Sequence, residues 1–303
     1  KPVTVPSSEG SMLISFVFPL TFVVLWASAF ATGSVATQDA TPFAALAFRF
    51  SIVAVGFFIV AWILSEFSRI DRRDLKHSVI TGLLFHGLYL GGCWYSFSVG
   101  IPAGVSALIV CTQPILTAIF AGLLLGEHVS LKNWVGLSLG FVGAALVLGV
   151  DFGDEFALDG LIANVIALGS ITAATIWQRK FSQTLPLATN NALQAASAAI
   201  FHGIVMWFLE TPSIELTLTF GLAMGWQIVA VSFGAFTILM YLINHNSASQ
   251  TSALFFLVPP VAAVMGWMLL NEGLTTLDMI GFTIASTGVY LATRRPKERL
   301  GGH

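Results

Sequence analysis

The chain has 303 residues, of which 56% are hydrophobic and only 9% are charged, and its formal net charge is -2. A soluble domain carries roughly a quarter charged residues, so this composition excludes an ordinary globular protein and favours a lipid bilayer as the solvent. Small net charge without a large basic cluster also excludes a surface that covers nucleic acid.

Apolar runs between polar breaks predict ten helices, because a membrane-spanning helix needs about 20 predominantly apolar residues. The predicted helices cover residues 12–35, 43–65, 77–96, 102–125, 131–149, 158–179, 187–209, 217–243, 248–270 and 275–292. Residues 1–11 are predicted to be a flexible lead and residues 294–303 a basic tail. The predicted fold class is an all-α membrane protein with ten transmembrane helices.

Three prolines lie inside these predicted helices. Pro114 interrupts the fourth helix, and Pro259 and Pro260 interrupt the ninth. A proline in a helix interior removes a backbone hydrogen bond and clashes with the preceding turn. We therefore expect kinks at these positions and treat all three residues as candidate hinges.

A pattern within residues 101–149 occurs a second time near the end of the chain. Glu127 follows Pro114 by thirteen residues, and Glu272 follows Pro259 by thirteen. Adding 145 to the first pair of positions gives the second pair. Since this offset is nearly half the chain length, the sequence predicts two copies of one unit.

The two predicted copies cover residues 12–150 and residues 151–293, with five helices in each. Because five is odd, the second copy enters the membrane from the opposite side, which is the inverted-repeat layout of many transporters with a site between the halves. All of the 13 Lys and Arg residues except Lys1 and Arg49 lie in loops on one side or in the tail. The positive-inside rule then places both termini in the cytoplasm.

The order of these motifs resembles the ten-helix drug/metabolite transporter superfamily. The resemblance is carried by Trp26-Ala27-Ser28-Ala29-Phe30, Pro42 with Arg49-Phe50 seven residues later, the segment from Ala107 to Pro114, the Gly126-Glu127 stop, and the helix with Gly136 and Gly143. Within the superfamily the chain is similar to the YddG-type aromatic amino acid exporters of the bacterial inner membrane. This resemblance implies a monomer whose central cavity opens alternately to each side. The second copy departs from the pattern, because Leu193 stands where an arginine would match Arg49.

One face of the third predicted helix carries polar and aromatic groups. His86, Tyr89 and Cys93 recur at helical spacing, with Gly82 on the same stripe. A cavity for an aromatic amino acid needs apolar walls, rings for stacking and a few hydrogen-bonding groups. This face offers all three, so His86 and Tyr89 are candidate substrate-binding residues. The alternative is an interhelical hydrogen bond in a packed bundle.

Arg49 is the one basic residue inside a predicted span. An unpaired charge at the centre of a membrane helix costs about 2.5–3.5 kcal/mol on insertion scales, so it should face protein or water. It is therefore a candidate anchor for a substrate carboxylate, or a gate. Its position some six residues from the predicted helix start favours a structural anchor that snorkels outward or bonds backbone carbonyls.

Five further residues are candidates for the substrate site, namely Trp26, Ser28, Gln113, Asn164 and Trp177. Trp26 lies near the middle of its predicted span, two residues before Ser28, and Trp177 lies in the last third of the sixth helix. We expect Trp26 to line the cavity and Trp177 to line an inward mouth, whereas helix-end tryptophans form aromatic belts. Gln113 and Asn164 are intramembrane amides that bind either substrate or a neighbouring helix.

Several motifs are missing from the sequence. No Asp or Glu falls in the central part of a predicted span, which argues against a proton or sodium relay and leaves coupling through His at most. The patterns for ATP hydrolysis and for a zinc protease are absent, and Cys93 and Cys111 lie in apolar segments without metal-ligand spacing. The sequence therefore predicts no cofactor, no metal and no enzyme activity.

Together with the family resemblance, the sequence implies a gradient-driven exporter of aromatic amino acids and related small amphipathic solutes. The alternatives are a proton-coupled exporter of a broader set of metabolites or drugs, an intramembrane enzyme, and a passive channel. An enzyme needs a paired nucleophile and base in one cavity, and a channel shows no counterflow.

Overall fold

The structure is a computed structural model that describes residues 17–66, 70–149, 156–181, 185–270 and 275–293, with the backbone alone at 263 and 266–270. These residues are overwhelmingly helical. Within them, the one extended pairing is an antiparallel bridge between Ala40 and Ile214. The predicted lead, the predicted tail and Glu272 lie outside the described residues.

The helical elements follow one another along the chain. They are α1 (Phe18–Ala36), α2 (Pro42–Ile63), α3 (Arg72–Gly82), the π-helical segment π1 (Leu83–Tyr89), α4 (Leu90–Ser98), α5 (Ala103–Val110), α6 (Gln113–Leu125), α7 (Leu131–Leu148), α8 (Leu158–Phe181), α9 (Leu187–Leu209), α10 (Leu218–Trp226), the π-helical segment π2 (Gln227–Ala235), α11 (Phe236–His245), α12 (Ala248–Ala253), a 3₁₀ turn (Leu254–Leu257), α13 (Val258–Leu270) and α14 (Thr276–Thr293).

Seven helical stretches in the described part of the chain are long and apolar enough to cross a membrane. They are α1, α2, α5 with α6, α7, α8, α9, and α10 with π2 and α11. Large apolar side chains such as Leu123 and Ile63 face outward, whereas polar side chains such as Asn164 and His202 are buried in the bundle. An apolar exterior around a partly polar interior is the arrangement that a lipid solvent favours.

Helix bounds agree with the sequence prediction to within a few residues in most places. Helix α9 begins and ends where residues 187–209 were expected. The third predicted helix, 77–96, is an exception because α3 already begins at Arg72. The first turn of α3 is polar. It was missed because the helix was predicted from its apolar residues alone.

The prolines interrupt helices, where simple kinks were predicted. Helix α5 ends at Val110, and α6 begins at Gln113 with Pro114 in its first turn. A 3₁₀ turn likewise separates α12 from α13, whose first residues include Pro259 and Pro260. The physical reason is that backbone N–H groups in the first turn of a helix have no intrahelical acceptor, so a proline there removes no hydrogen bond. Each break lies just before its proline.

Helix α7 packs closely along α14 through glycine. A Cβ added at Gly136 would lie 2.6 Å from the Gly288 carbonyl oxygen, and one at Gly143 would lie 2.6 Å from that of Gly281. Backbone therefore meets backbone at both ends of this contact. The strip of Gly136, Gly140 and Gly143 makes contacts inside the chain.

The π segments lie at matching positions of the two predicted copies. Adding 145 to Leu83 and Tyr89 gives Ile228 and Gly234, which both fall within π2. A π segment adds one residue to a helical turn and often marks a functional site. Neither segment was predicted from the sequence. Both border a cavity inside the bundle.

Candidate functional site: an aromatic cavity with a buried arginine

A cavity lies inside the bundle between α1, α2, the two π segments, α4 and the start of α11. Its walls include Trp26, Tyr89 and Trp94 on one side and Val231 and Phe236 on another. The free space is about 30 Å³, room for roughly two water molecules. The site therefore has little free space in this structure and is lined mainly by rings.

Arg49 is buried in the wall of this cavity, with only 2% of its surface exposed. Its Nε–H and one Nη2–H both donate to the hydroxyl oxygen of Ser232, at 3.0 and 2.9 Å. The guanidinium also lies 5.2 Å from the centre of the Phe50 ring. Arg49 thus points inward and bonds a side chain, in contrast to the expected snorkelling or binding to backbone carbonyls.

The charge of Arg49 has no acidic partner among the residues that the structure describes. No carboxylate in that part of the chain lies within ion-pair distance of the guanidinium. Ser232 is a neutral acceptor that uses two of five guanidinium donors. A buried cation of this kind can bind a carboxylate with a strong, charge-assisted hydrogen bond.

Aromatic rings provide the apolar surface of the cavity. The Trp26 and Tyr89 rings are parallel to within 3°, with centres 6.4 Å apart. The His86 ring lies between Phe50 and Phe236, at centre distances of 4.7 and 4.1 Å. Trp26, Tyr89, His86 and Arg49 are therefore brought together, and each lines the cavity.

Two buried histidines are joined at the edge of the site. His202 Nε2–H donates to the backbone carbonyl of His86 at 2.9 Å, so His202 has the tautomer protonated at Nε2. His86 Nδ1 is buried and has no hydrogen-bond partner among the described residues. His202 therefore supports the backbone of π1, whereas the His86 ring faces the cavity.

Gln227, at the start of π2, lines the cavity and was missed by the sequence analysis. Its Nε2 donates to the Ala29 carbonyl at 2.7 Å and to the Thr32 hydroxyl at 2.8 Å. The signal that could have identified it is its place near the middle of predicted helix 217–243. Gln227 and Ser232 were both missed because a single polar residue does not interrupt an apolar run in the sequence.

The predicted site residue Ser28, and Gly82 on the same helix stripe as His86, lie outside the cavity lining. The Ser28 hydroxyl donates to the Leu25 carbonyl and accepts from Trp226 Nε1, each at 2.7 Å. Gly82 packs against the backbone of α9, because an added Cβ would lie 2.5 Å from the Gln194 carbonyl oxygen.

The two predicted amides also bind neighbouring helices. Gln113 Nε2 donates to Thr117 in its own helix at 2.8 Å and to Ser252 in α12 at 3.1 Å. Asn164 Oδ1 accepts from the Ser106 hydroxyl at 2.6 Å. Both residues are fully buried, and these contacts match the alternative in which they join helices.

Rings close the bundle at the end that carries Arg179, here called the basic end. The rings of His77 and Phe181 are stacked with centres 4.7 Å apart, and Trp177 lies 4.5 Å from Phe181. Trp177 was expected to line an inward mouth, and in this structure it is part of that closed cluster.

At the opposite, acidic end, a vestibule of about 510 Å³ opens between the α1–α2 and α9–α10 connections. Asp39, Glu210 and Glu215 line it. The Glu210 carboxylate accepts from the backbone N–H groups of Phe43 and Ala44, at 3.0 and 3.1 Å, and so caps α2.

A column of rings separates this vestibule from the cavity. Phe43 lines the vestibule and lies 5.9 Å from His202, which in turn lies 5.8 Å from Phe50. Phe50 contacts His86 in the cavity wall. A continuous series of ring contacts therefore lies between the vestibule and the cavity wall.

Apolar helices that enclose a polar, ring-lined cavity define the class of integral membrane proteins that handle small solutes. Comparison with known families identifies the group: the sequence model of the EamA-like transporter family matches residues 13–149 and again residues 159–294. The chain therefore belongs to the EamA-like transporter family, within the drug/metabolite transporter superfamily.

Two proteins that the chain is similar to are uncharacterized transporters. The chain is 26% identical to the uncharacterized transporter YvbV of Bacillus subtilis, over 96% of this chain and 94% of that protein. It is 24% identical to the uncharacterized inner membrane transporter YedA of Escherichia coli K12, over 89% and 87%. A solved crystal structure has the same fold, with a TM-score of 0.74 and 19% identity over 95% of this chain and 97% of that one.

Proposed function

We propose that this protein exports aromatic amino acids and related small amphipathic solutes across the bacterial inner membrane by alternating access. The observation that carries the proposal is Arg49, a buried cation in a cavity walled by aromatic rings. A guanidinium matches the planar geometry of a carboxylate, and the rings suit an aromatic side chain through stacking and apolar contact. Arg49 and Trp26 would therefore bind opposite ends of one solute.

The free space of about 30 Å³ is far smaller than an aromatic amino acid, so the walls must separate before a solute enters. The breaks before Pro114 and Pro259 are places where a helix lacks continuous hydrogen bonds. We propose that α5 and α12 move relative to α6 and α13 at these breaks. The ring column next to the vestibule and the His77 cluster at the basic end would then open in alternation.

Alternating access by an inverted repeat of ten spans is supported by the contact between α7 and α14. Gly136 and Gly281 match under the offset of 145, as do Gly143 and Gly288. In the structure, Gly136 meets Gly288, and Gly143 meets Gly281. Exchanging each glycine for its match turns one contact into the other, which is the relation that a twofold axis in the membrane plane would produce.

The proposal is tested by counterflow in vesicles that contain the purified protein. Vesicles loaded with unlabelled phenylalanine should accumulate labelled phenylalanine, with saturation. Trp26→Ala and His86→Ala should each lower this rate while the protein yield in the membrane stays the same. Unchanged transport in both variants would remove the two residues from the site, and wild-type protein without counterflow for any aromatic amino acid would overturn the function.

The same vesicles separate the alternatives. A proton-coupled exporter of broader range would respond to an imposed pH gradient and would be inhibited by solutes without a carboxylate. A channel would equilibrate the label without counterflow. We expect competition by aromatic amino acids and no dependence on the pH gradient, since the described spans hold no central carboxylate.

A further inference from the structure

Gln227 lines the cavity, and the orientation of its side-chain amide is set by its neighbours. The Thr32 hydroxyl donates to the Ser28 carbonyl at 2.8 Å, so toward Gln227 it can only accept. The Ala29 carbonyl is likewise only an acceptor. Both N–H donors of the Gln227 amide are thereby used, and rotating the amide would place its oxygen against two other acceptors.

This arrangement leaves the amide oxygen without a partner. Gln227 Oε1 is buried, the whole residue is 1% exposed, and no donor in the described part of the chain reaches Oε1. A buried acceptor without a hydrogen bond is unfavourable and is uncommon in folded proteins. Gln227 lines the cavity, so a donor supplied from there would remove the penalty.

The acceptor and the buried cation belong to one connected group. Ser232 accepts from Arg49 and donates its own hydroxyl to the Gln227 backbone carbonyl at 3.1 Å. Both residues are on π2, and both line the same cavity as Arg49. A cation suited to a carboxylate and a residue with an acceptor suited to an amino group therefore line the same cavity and are linked through Ser232.

We propose that Gln227 Oε1 accepts a hydrogen bond from the amino group of the solute while Arg49 binds its carboxylate. Gln227 would then make the transporter selective for amino acids over aromatic acids that lack nitrogen. This inference rests on the proposed function and adds the residue that distinguishes substrates by their amino group. A water molecule could satisfy Oε1 instead, and the experiment below separates the two cases.

The test compares two solutes on the same variant, so that a smaller folded fraction cancels. Inhibition of labelled phenylalanine counterflow is measured with unlabelled phenylalanine and with 3-phenylpropionate, which lacks the amino group. Wild-type protein should prefer phenylalanine, and in Gln227→Met this preference should fall about tenfold, because a hydrogen bond to a charged group is lost. The affinity for 3-phenylpropionate should stay the same.

The matched control is Gln250→Met, which removes an amide that donates to the Thr293 carbonyl away from the cavity. It should leave the preference unchanged. An equal preference in wild type and Gln227→Met, with phenylalanine still transported, would overturn the role of Gln227 and favour water as its partner. Absence of phenylalanine counterflow in the wild type would instead overturn the proposed function itself.

Discussion

The contact between α7 and α14 is closely packed, whereas the cavity between π1 and π2 contains buried polar atoms without hydrogen-bond partners among the described residues. Along α7 and α14, glycine lets two regular helices approach until backbone touches backbone. Around the cavity, the helices widen into π segments, and buried atoms such as Gln227 Oε1 and His86 Nδ1 have no partner in the described chain.

This difference indicates where the protein is rigid and where it binds. Close packing of backbone on backbone, with a hydrogen bond from Asn133 Nδ2 to the Ala292 carbonyl at 2.6 Å, holds the two helices in one arrangement. Unsatisfied polar atoms cost free energy that a bound solute can recover. Substitutions between α7 and α14 should therefore change folding, whereas substitutions in the cavity should change which solutes are transported. The four predictions below test that distinction, from the largest expected effect to the smallest.

Gly288→Leu should abolish the folded transporter. A Cβ at this position would lie 2.6 Å from the Gly136 carbonyl oxygen, and backbone cannot move aside as a side chain can. We expect a loss of more than about 3 kcal/mol, measured as the folded fraction by size-exclusion chromatography in detergent. The control Gly169→Leu adds the same side chain at an exposed position with no atom within 4 Å. Equal yields of the two variants would contradict the rigid contact.

Arg49→Gln should lower phenylalanine transport by about 10- to 100-fold, since a hydrogen bond to a charged group contributes about 1.5–3 kcal/mol. Competition by phenethylamine, which has no carboxylate, should be unaffected. Counterflow assays of both compounds measure the effect. Ser232→Ala removes the acceptor of Arg49 but keeps the cation, so its loss should be smaller. A parallel loss for the two compounds would show that Arg49 only stabilises the fold.

Trp26→Ala should lower phenylalanine transport by about 3- to 10-fold through the loss of one ring contact. Trp207→Ala is the control, because that ring is 78% exposed on the outside of the bundle. The initial rate of counterflow, divided by the amount of folded protein, is the measured quantity. Similar rates for the two variants would mean that Trp26 does not contact the solute.

Glu127→Ala should reduce stability by about 1 kcal/mol and leave selectivity unchanged. The Glu127 carboxylate accepts from the Ala248 backbone N–H at 2.9 Å and lies 3.9 Å from Arg179 Nε. The Glu127 carboxylate therefore has hydrogen-bond and charge partners within the protein, in contrast to Gln227 Oε1. Thermal unfolding in detergent should show a Tm lowered by a few degrees, with Glu127→Gln between Ala and wild type. A changed preference for phenylalanine over 3-phenylpropionate would contradict the prediction that Glu127 affects stability and leaves selectivity unchanged.

The helices could be predicted from the sequence because a membrane leaves few options for the backbone. Every N–H and C=O in the apolar region must be paired, and a helix pairs them within its own segment. For this reason residues 187–209 form α9 over the predicted range. The polar first turn of α3 was missed, because the sequence criterion applies only to the apolar region.

The candidate site could be predicted only in part. Trp26, His86, Tyr89 and Arg49 line the cavity, and each had a chemical reason to be considered. Asn164 had a similar reason, but its side chain accepts from Ser106 on a neighbouring helix. Gln227 was overlooked inside a long apolar run. Residue type indicates which side chains can bind a solute, but it does not indicate which of them reach the same space.

Composition and periodicity by themselves determined that this chain is a bundle of membrane helices with a duplicated pattern, because the solvent requirement acts on each segment separately. Tertiary structure decided the rest. The rotation of each helix about its axis depends on its neighbours, and the extra residue in a turn of π1 and π2 changes which side chains face inward. Packing between distant segments therefore placed Gln227 and Arg49 in the lining of one cavity and placed Asn164 outside that lining.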